Sequence, residues 1–300
     1  SNRPIPGAAR EVYDVPHATP WGKKIASYLW AKSIAAGVLL LSALLLNVGF
    51  EADAPLLHVI GPFVALLFLG VTLAMLVLDL KKPGRFFYLL TKPNLKSWLT
   101  LGGYVLMIYG VLAGIWLAQG LTKPAISPLV FWPAGLFAIA SAGYSAFLFA
   151  QARGRDFWQS PLLFWHLLMQ SISAGAAVLM LIGSLELISP FQFMSAQMFA
   201  WLGNALVISL FASLAMIFSD LFLTHGSEEL RRAAELLSRG ALWKQFWIFA
   251  VLLGVIVPIV LMFWPTRSLL PNMVASLLVL LGLWVYENLW IKAGQSVPLS

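Results

Sequence analysis

The chain of 300 residues contains no cysteine, and this absence excludes several kinds of chemistry. Disulfide bridges, cysteine-ligated iron–sulfur clusters, c-type haem attachment and thiol redox reactions all require the sulfur of that residue. We therefore expect any iron–sulfur cluster that works with this chain to belong to a partner protein.

Charged residues are also scarce. Only 10% of the residues are charged and 60% are hydrophobic, whereas a soluble domain is about a quarter charged and about half apolar. Eight apolar runs are long enough, at about 1.5 Å per residue, to cross a hydrocarbon core of roughly 30 Å. The predicted fold is an all-α polytopic membrane protein, with spans at 25–48, 57–80, 98–119, 128–151, 162–187, 195–224, 243–264 and 271–291.

Three short motifs recur in the same order about 140 residues apart. The matching segments are 33–37 with 171–175, 73–80 with 214–221, and 110–114 with 250–254. Three matches in register indicate an internal duplication. Because each unit contains four crossings, both copies enter the membrane from the same side.

The duplication predicts a domain organisation of two parallel four-helix bundles. The bundles cover residues 25–152 and 153–300, after an irregular N-terminal arm at 1–24. Within the second bundle, residues 227–240 begin with a serine and two acids and end with Arg-Gly, which predicts a short surface helix.

The positive charge is unevenly distributed over the predicted topology. Sixteen of the 19 lysines and arginines fall on one face, Lys123 and Arg267 fall on the other, and Lys32 lies within the first span. The positive-inside rule predicts that the basic face and both termini are cytoplasmic, although a face that docks a partner would have the same pattern. The net charge of +7 therefore does not indicate nucleic acid. The candidate docking residues are Lys81, Lys82, Arg85, Lys92 and Lys96.

Two charged residues are candidates for a proton path. Lys32 lies about 12 Å of helix beyond Lys24, and a charge at such depth costs about 2.5–3.5 kcal/mol and usually faces a partner or a wet cavity. The alternative is that its stem carries the ammonium back to the interface. Asp79 belongs to the same predicted bundle, but its repeat counterpart Asp220 favours a structural role at the helix end.

The duplication also singles out a candidate quinone site. The repeat places Tyr28 and Lys32 opposite His166 and Gln170, so only the first bundle carries a fixed charge. The two carbonyl groups of a quinone need hydrogen-bond donors at the edge of an apolar slot. We therefore predict that the quinone site is in the first bundle, formed by Tyr28, Lys32, Asp79 and Tyr104.

Few histidines are placed where they could bind haem. At most one pair, His166 and His225, lies on the same side of the predicted membrane, and His225 falls at a helix end. We expect no haem, no other metal site and no catalytic residue for substrate chemistry in this chain.

The loop after the second span resembles a family pattern. Asp79-Leu-Lys-Lys-Pro-Gly-Arg-Phe-Phe-Tyr-Leu-Leu-Thr-Lys-Pro-Asn94, followed by Lys96-Ser-Trp98, resembles the corresponding loop of the NrfD/PsrC family. Lys81-Lys82 stands where that family often has Gly-Arg. Residues 28–37 resemble the first-helix pattern of the family, and residues 293–300 resemble the tail of some members.

The resemblance implies a membrane subunit that exchanges electrons between membrane quinone, either menaquinone or ubiquinone, and an extrinsic ferredoxin-like iron–sulfur subunit. It also implies a molybdopterin-type catalytic subunit or other respiratory subunits as partners, in a bacterial or archaeal plasma membrane. By position, Tyr28 falls where relatives can have a histidine near the quinone, Asp79 matches the family aspartate, and Lys32 has no uniform counterpart. In several relatives the docking face is extracytoplasmic.

Two other functions fit the sequence as well. A transporter or permease could use Lys32 and Asp79 for coupling, although the chain has few intramembrane charges and no clear pair of broken helices. A purely structural anchor would need neither residue.

Overall fold

A computed structural model describes residues 21–50, 55–79, 94, 96–152, 155–185, 194–222, 228–263 and 269–296. These residues form helices and no strand, which confirms the all-α class. The helices are α1 (Lys23–Val48), α2 (a π-helical start at Pro55–Ile60 continuing through Gly61–Asp79), α3 (Trp98–Thr122), α4 (Pro128–Ala150), α5 (Leu163–Ser184), α6 (Ala196–Phe222), α7 (Glu228–Ser238), α8 (π-helical at Gln245–Ile256, then Val257–Met262) and α9 (Leu269–Ser296).

Eight of these helices are long and apolar enough to cross a membrane, as predicted. The predicted and observed ends agree within a few residues, and the largest difference is at α9, which continues five residues beyond the predicted end at 291. The surface helix predicted at 227–240 is α7. The side chain of Asp79 and the whole of residues 1–20 and 80–93 lie outside the described residues.

Local sequence explains where several helices begin and end. Gly49 has a φ of 92° and ends α1 in the left-handed conformation that favours glycine. At the start of α4, the Ser127 side chain accepts a hydrogen bond of 3.3 Å from the Leu129 backbone N–H, and Pro128 occupies the first helical position.

The centre of the molecule is the contact between α1 and α5. Their most apolar windows are 83% and 78% buried, against 28% for α2 and for α3. Gly37 and Gly175 lie against each other there, and a Cβ on Gly37 would overlap the Ser171 carbonyl group. The two repeated small-residue motifs therefore bring the backbones of α1 and α5 into direct contact.

Helix packing follows the same scheme in both halves of the chain. In the first half α1 packs against α2 and α4, and in the second half α5 packs against α6 and α9. Two further contacts join the halves, α1 with α9 and α4 with α5. As a result, α1 touches the last helix of both halves.

Several chain segments meet at one end of the molecule. Gln295, near the end of α9, accepts a hydrogen bond of 3.2 Å from the backbone N–H of Trp21, just before α1. Arg155 donates a bond of 2.7 Å from Nη1 to the Gly294 carbonyl oxygen. Lys24 donates from Nζ to the Leu78 carbonyl oxygen at 3.1 Å. We call this the basic end; its described cations include Lys24, Lys96, Arg155 and Lys244.

Candidate functional site: a buried lysine between the two halves

Lys32 is buried in the helix bundle, with an exposed fraction of 1%. Its Nζ donates hydrogen bonds of 2.8 Å to the Ala142 carbonyl oxygen and 2.8 Å to Ser145 Oγ, both on α4. The ammonium also lies 4.9 Å from the centroid of the Tyr144 ring, whose π face attracts a cation. The charge is thus held by a carbonyl group, a hydroxyl group and an aromatic face.

Tyr28 joins the same cluster. It precedes Lys32 by four residues on α1, so the two side chains share a helix face. The Tyr28 hydroxyl group is hydrogen-bonded to the Tyr144 hydroxyl group and lies 3.4 Å from Ser145 Oγ. Tyr28, Lys32, Tyr144 and Ser145 therefore form one buried group, which we call the α1–α4 polar cluster.

Glu287 approaches Lys32 from the other half of the chain. It lies on α9, has an exposed fraction of 2%, and is close enough for mutual electrostatic attraction with Lys32. Neither carboxylate oxygen has a hydrogen-bond partner among the described residues. A buried ion without a counter-charge would cost several kcal/mol, so the opposite charges of Lys32 and Glu287 stabilise each other.

Two tryptophans fix the contact between α1 and α9 that brings these charges together. Trp30 donates from Nε1 to the Leu280 carbonyl oxygen at 2.8 Å, and Trp284 donates from Nε1 to Ser27 Oγ at 3.1 Å. Lys32 is nine residues from the start of α1 and Glu287 is nine residues from the end of α9. Both are therefore about 14 Å along their helices from the basic end.

The repeat counterparts of Tyr28 and Lys32 line two small cavities. His166 and Gln170 border a cavity of about 30 Å³ inside the second half, together with Ser173, Ser213 and Tyr286. They also border a cavity of about 10 Å³ that reaches Glu287 and Leu29 of α1. The Tyr286 hydroxyl oxygen lies 3.5 Å from His166 Nδ1, and Gln170 Nε2 lies 3.5 Å from His166 Nε2.

The family model described as "Polysulphide reductase, NrfD" matches residues 11–298. The chain belongs to the NrfD family. That match includes both halves, and with them Lys32 and Glu287.

Two curated members of the NrfD family are similar over most of their length. "Protein NrfD" of Escherichia coli (strain K12) is 26% identical over 285 residues, which cover 83% of this protein and 86% of the relative. A polysulfide reductase subunit of Wolinella succinogenes is 25% identical over 306 residues, which cover 92% of this protein and 94% of the relative.

In this member of the NrfD family, the structure brings together only part of the predicted quinone site. Tyr28 and Lys32 share the α1–α4 polar cluster. Tyr104 is half-buried on α3, two residues after Gly102, which packs on the Tyr144 ring. Helix residues two apart do not face the same way, so Tyr104 points away from that contact. Asp79 ends α2.

The predicted docking residues lie mostly outside the described part of the protein. Lys81, Lys82, Arg85 and Lys92 are all outside it, and Lys96 is exposed at the basic end. Among the described residues, no group of three His, Asp or Glu side chains is placed to hold a metal ion.

The sequence reasoning did not identify Tyr144, Ser145 or Glu287 as site residues. The first two belong to a stretch of small residues that is typical of close helix packing. A signal for Glu287 was present, since it is the acid of the last apolar run and lies as far from the basic face as Lys32 does.

Proposed function

We propose that this protein is the quinone-binding membrane subunit of an oxidoreductase complex, and that it passes electrons between membrane quinone and an extrinsic iron–sulfur subunit. The observation that carries the proposal is the buried Lys32 ammonium, which the α1–α4 polar cluster holds inside a membrane-spanning bundle. Family membership supports it, as does the name of the Wolinella relative, which is one subunit of polysulfide reductase.

The donors of the α1–α4 polar cluster suit a quinone headgroup. Quinone carbonyl oxygens accept hydrogen bonds, and the Lys32 ammonium and the Tyr28 and Tyr144 hydroxyl groups can donate them. When bound, quinone supplies two-electron, two-proton redox chemistry. Lys32 would orient a carbonyl oxygen and hold a proton at Nζ, and Tyr28 would hold one at its hydroxyl oxygen.

The headgroup needs more room than the two cavities provide, since volumes of about 10 and 30 Å³ correspond to a few water molecules. Tyr144 is the side chain that covers Lys32, and its ring rests on Gly102, which offers no side chain to block it. We therefore expect Tyr144 to move when a headgroup reaches Lys32. In this proposal Asp79 and Tyr104 remain candidate contributors, and Lys32 with Asp79 remains a candidate proton path.

The basic end is the proposed docking surface for the iron–sulfur partner. The cluster residue Lys32 lies about 14 Å along α1 from this end, and Lys96 together with the cations of 81–92 would attract an acidic partner surface. Such charges act mainly on orientation and encounter rate. A molybdopterin-type catalytic subunit would complete the complex, with both termini on the cytoplasmic side and with 25–152 and 153–300 as its two membrane units.

Copurification tests the proposed class of complex. The tagged protein, extracted from its native membrane in mild detergent, should carry a cysteine-rich ferredoxin-like protein and reduce or oxidise a quinone analogue together with it. Purification without any redox protein, in a form that transports a solute by itself, would instead support the permease.

A lysine pair tests the quinone site. Lys32→Met should lower quinone turnover of the assembled complex about 100-fold, because it removes a charged donor and proton carrier. Lys24→Met is the matched control, since it removes an exposed charge two turns earlier on the same helix. Equal turnover in the two variants would exclude Lys32 from the quinone site.

A further inference from the structure

Glu287 lies beside a series of small polar spaces that the proposed quinone site does not use. The cavity of about 10 Å³ next to Glu287 has room for about one water molecule. His166, Gln170 and Tyr286 line this cavity and also the cavity of about 30 Å³ inside the second half. The two spaces are therefore separated by these three polar side chains alone or shared between them.

The polar atoms around these cavities point to bound water. Gln170 Oε1, Ser213 Oγ and both Glu287 carboxylate oxygens are buried and have no hydrogen-bond partner among the described residues. Buried polar atoms are nearly always hydrogen-bonded, and a polar cavity that offers two or more partners is where buried water is found. We infer that both cavities are hydrated.

The cavities connect with the basic end through side chains. Tyr286 reaches His166 through the contact of 3.5 Å between its hydroxyl oxygen and Nδ1. Tyr286 also lies within the electrostatic field of Asp220, near the end of α6. Asp220 Oδ1 accepts a hydrogen bond of 2.9 Å from Ser160 Oγ in the segment between α4 and α5. Polar groups thus extend from the surface to Glu287.

We propose that Glu287 is the residue that returns a proton to Lys32, and that this proton arrives from the basic end through the second half of the protein. The path consists of Asp220, Tyr286, His166, Gln170 and the water between them. This inference rests on the proposed function for the final acceptor of the proton, and it goes beyond it by giving the second half a proton-supplying role.

The proton transfers balance within the Lys32–Glu287 pair. The Lys32 ammonium gives one proton to the quinone site and becomes an amine. The Glu287 carboxyl group then protonates that amine and becomes a carboxylate, which regains a proton from the cavity water. One proton has passed, and Lys32 and Glu287 have returned to their starting states. Water in the small cavity and the long flexible side chains allow the exchange without a direct ion pair.

Kinetics of the complete complex provide the first test. Glu287→Gln keeps the size of the side chain but removes its exchangeable carboxyl proton, so quinone turnover should fall about 100-fold while KM for quinone stays within about twofold. The solvent deuterium isotope effect should increase, because proton supply becomes the slow step. Ser276→Ala is the control, since Ser276 is a buried hydroxyl group of the same helix outside both cavities.

Infrared spectroscopy provides a test that needs no quinone. A carboxyl C=O band that shifts in D₂O should be present in the wild-type complex and in Ser276→Ala, and absent in Glu287→Gln. Its absence from the wild-type complex, or unchanged turnover of Glu287→Gln, would overturn the proton path. A wild-type complex that shows the band but neither binds nor reduces quinone would instead reject the proposed function.

Gln170→Met keeps the test decisive if Glu287→Gln does not assemble. This change removes the polar groups that hold cavity water but retains Glu287 and the approximate side-chain length. It should slow turnover about tenfold and slow the D₂O-induced shift of the carboxyl band. Wild-type values for both measurements would show that the proton does not use this path.

Discussion

Ser145 is one of only two hydrogen-bond acceptors that hold the Lys32 ammonium among the described residues. Ser141 lies one turn earlier on α4 and is equally buried, but its hydroxyl oxygen has no partner in the described part of the protein. The two serines thus separate the effect of removing a hydroxyl group from the effect of removing a contact with the charge.

Replacing Ser145 should therefore have a larger effect than replacing Ser141. A hydrogen bond to a charged group contributes about 1.5–3 kcal/mol, so Ser145→Ala should lower quinone turnover about tenfold or more. Ser141→Ala should change it by less than about twofold. Steady-state kinetics of both variants in the assembled complex would check this, and a reversed order would show that Ser145 does not position Lys32.

Glu229, on the surface helix α7, is a second buried carboxyl group, but it lies outside the spans. Burial raises its pKa from 4.5 to about 7, and the nearby Asp156 carboxylate adds to this rise. The backbone N–H of Asp156 and the charge of Arg155 oppose it. The folded protein therefore favours the protonated form of Glu229.

This raised pKa predicts a dependence of stability on pH. The stabilisation from protonated Glu229 is complete below about pH 4.5 and is lost as the pH rises through about 7, the pKa of the folded state. Relative to wild type, Glu229→Gln should gain stability across this range, by about 1 kcal/mol because Arg155 and nearby solvent screen the charge. Melting curves in detergent from pH 5 to 8 would measure it. Glu235→Gln, an exposed acid of the same helix, should follow the wild-type curve.

At the residue scale, the sequence identified Lys32 because a lysine inside an apolar run is unusual. It did not identify the counter-charge. Glu287 lay only four residues from the predicted end of the last span, where it was expected to be near water. In the structure α9 continues to Ser296, which places Glu287 deeper and buries it.

Among the helices, the crossing of α1 and α5 is the contact that tolerates least change. Gly37→Ala would force a methyl group into the backbone of Ser171. We expect a loss of about 1–3 kcal/mol, seen as a lower melting temperature in detergent. Gly114→Ala is the control, because a Cβ there meets no atom within 4 Å. Equal melting of the two variants would mean that α1 and α5 are further apart than described.

The extent of the helices was largely predictable from sequence, because a segment that crosses a membrane must be apolar over about 20 residues. The end of α9 was not, because it depends on a distant contact. Gln295 is polar and falls outside any apolar run, but its side chain bonds to the backbone next to Trp21 and extends the helix. Only the tertiary structure brings these two segments together.

For the whole molecule, the prediction concerns which residues share a side of the membrane. The absence of cysteine allows single cysteines to be introduced without background labelling. Lys96→Cys and Lys244→Cys should react with an impermeant maleimide from the same side, and Lys123→Cys only from the opposite side. Labelling of intact and of opened spheroplasts would measure this. Reaction of Lys96→Cys and Lys123→Cys from one side would contradict the eight-span topology, and the side that reacts first would test the cytoplasmic assignment.

The arrangement of the halves could be predicted only in part. The repeated motifs indicated two similar units, and the matching helix contacts agree with them. The α1–α9 contact could not be predicted, because spacing along the sequence does not determine which helices meet across the two units. For that reason the predicted site was confined to the first bundle, whereas the charge that faces Lys32 comes from the other half.

The α1–α9 contact gives a reason why two such units benefit from being one gene product. In a symmetric dimer of a four-helix unit, every substitution at this contact would appear twice. In the single polypeptide, α1 carries Lys32 and α5 carries Gln170 at the corresponding position, so each copy has diverged without constraining the other. Gene fusion thus permits one unit to retain a charge while its ancestral twin becomes a polar, water-sized space.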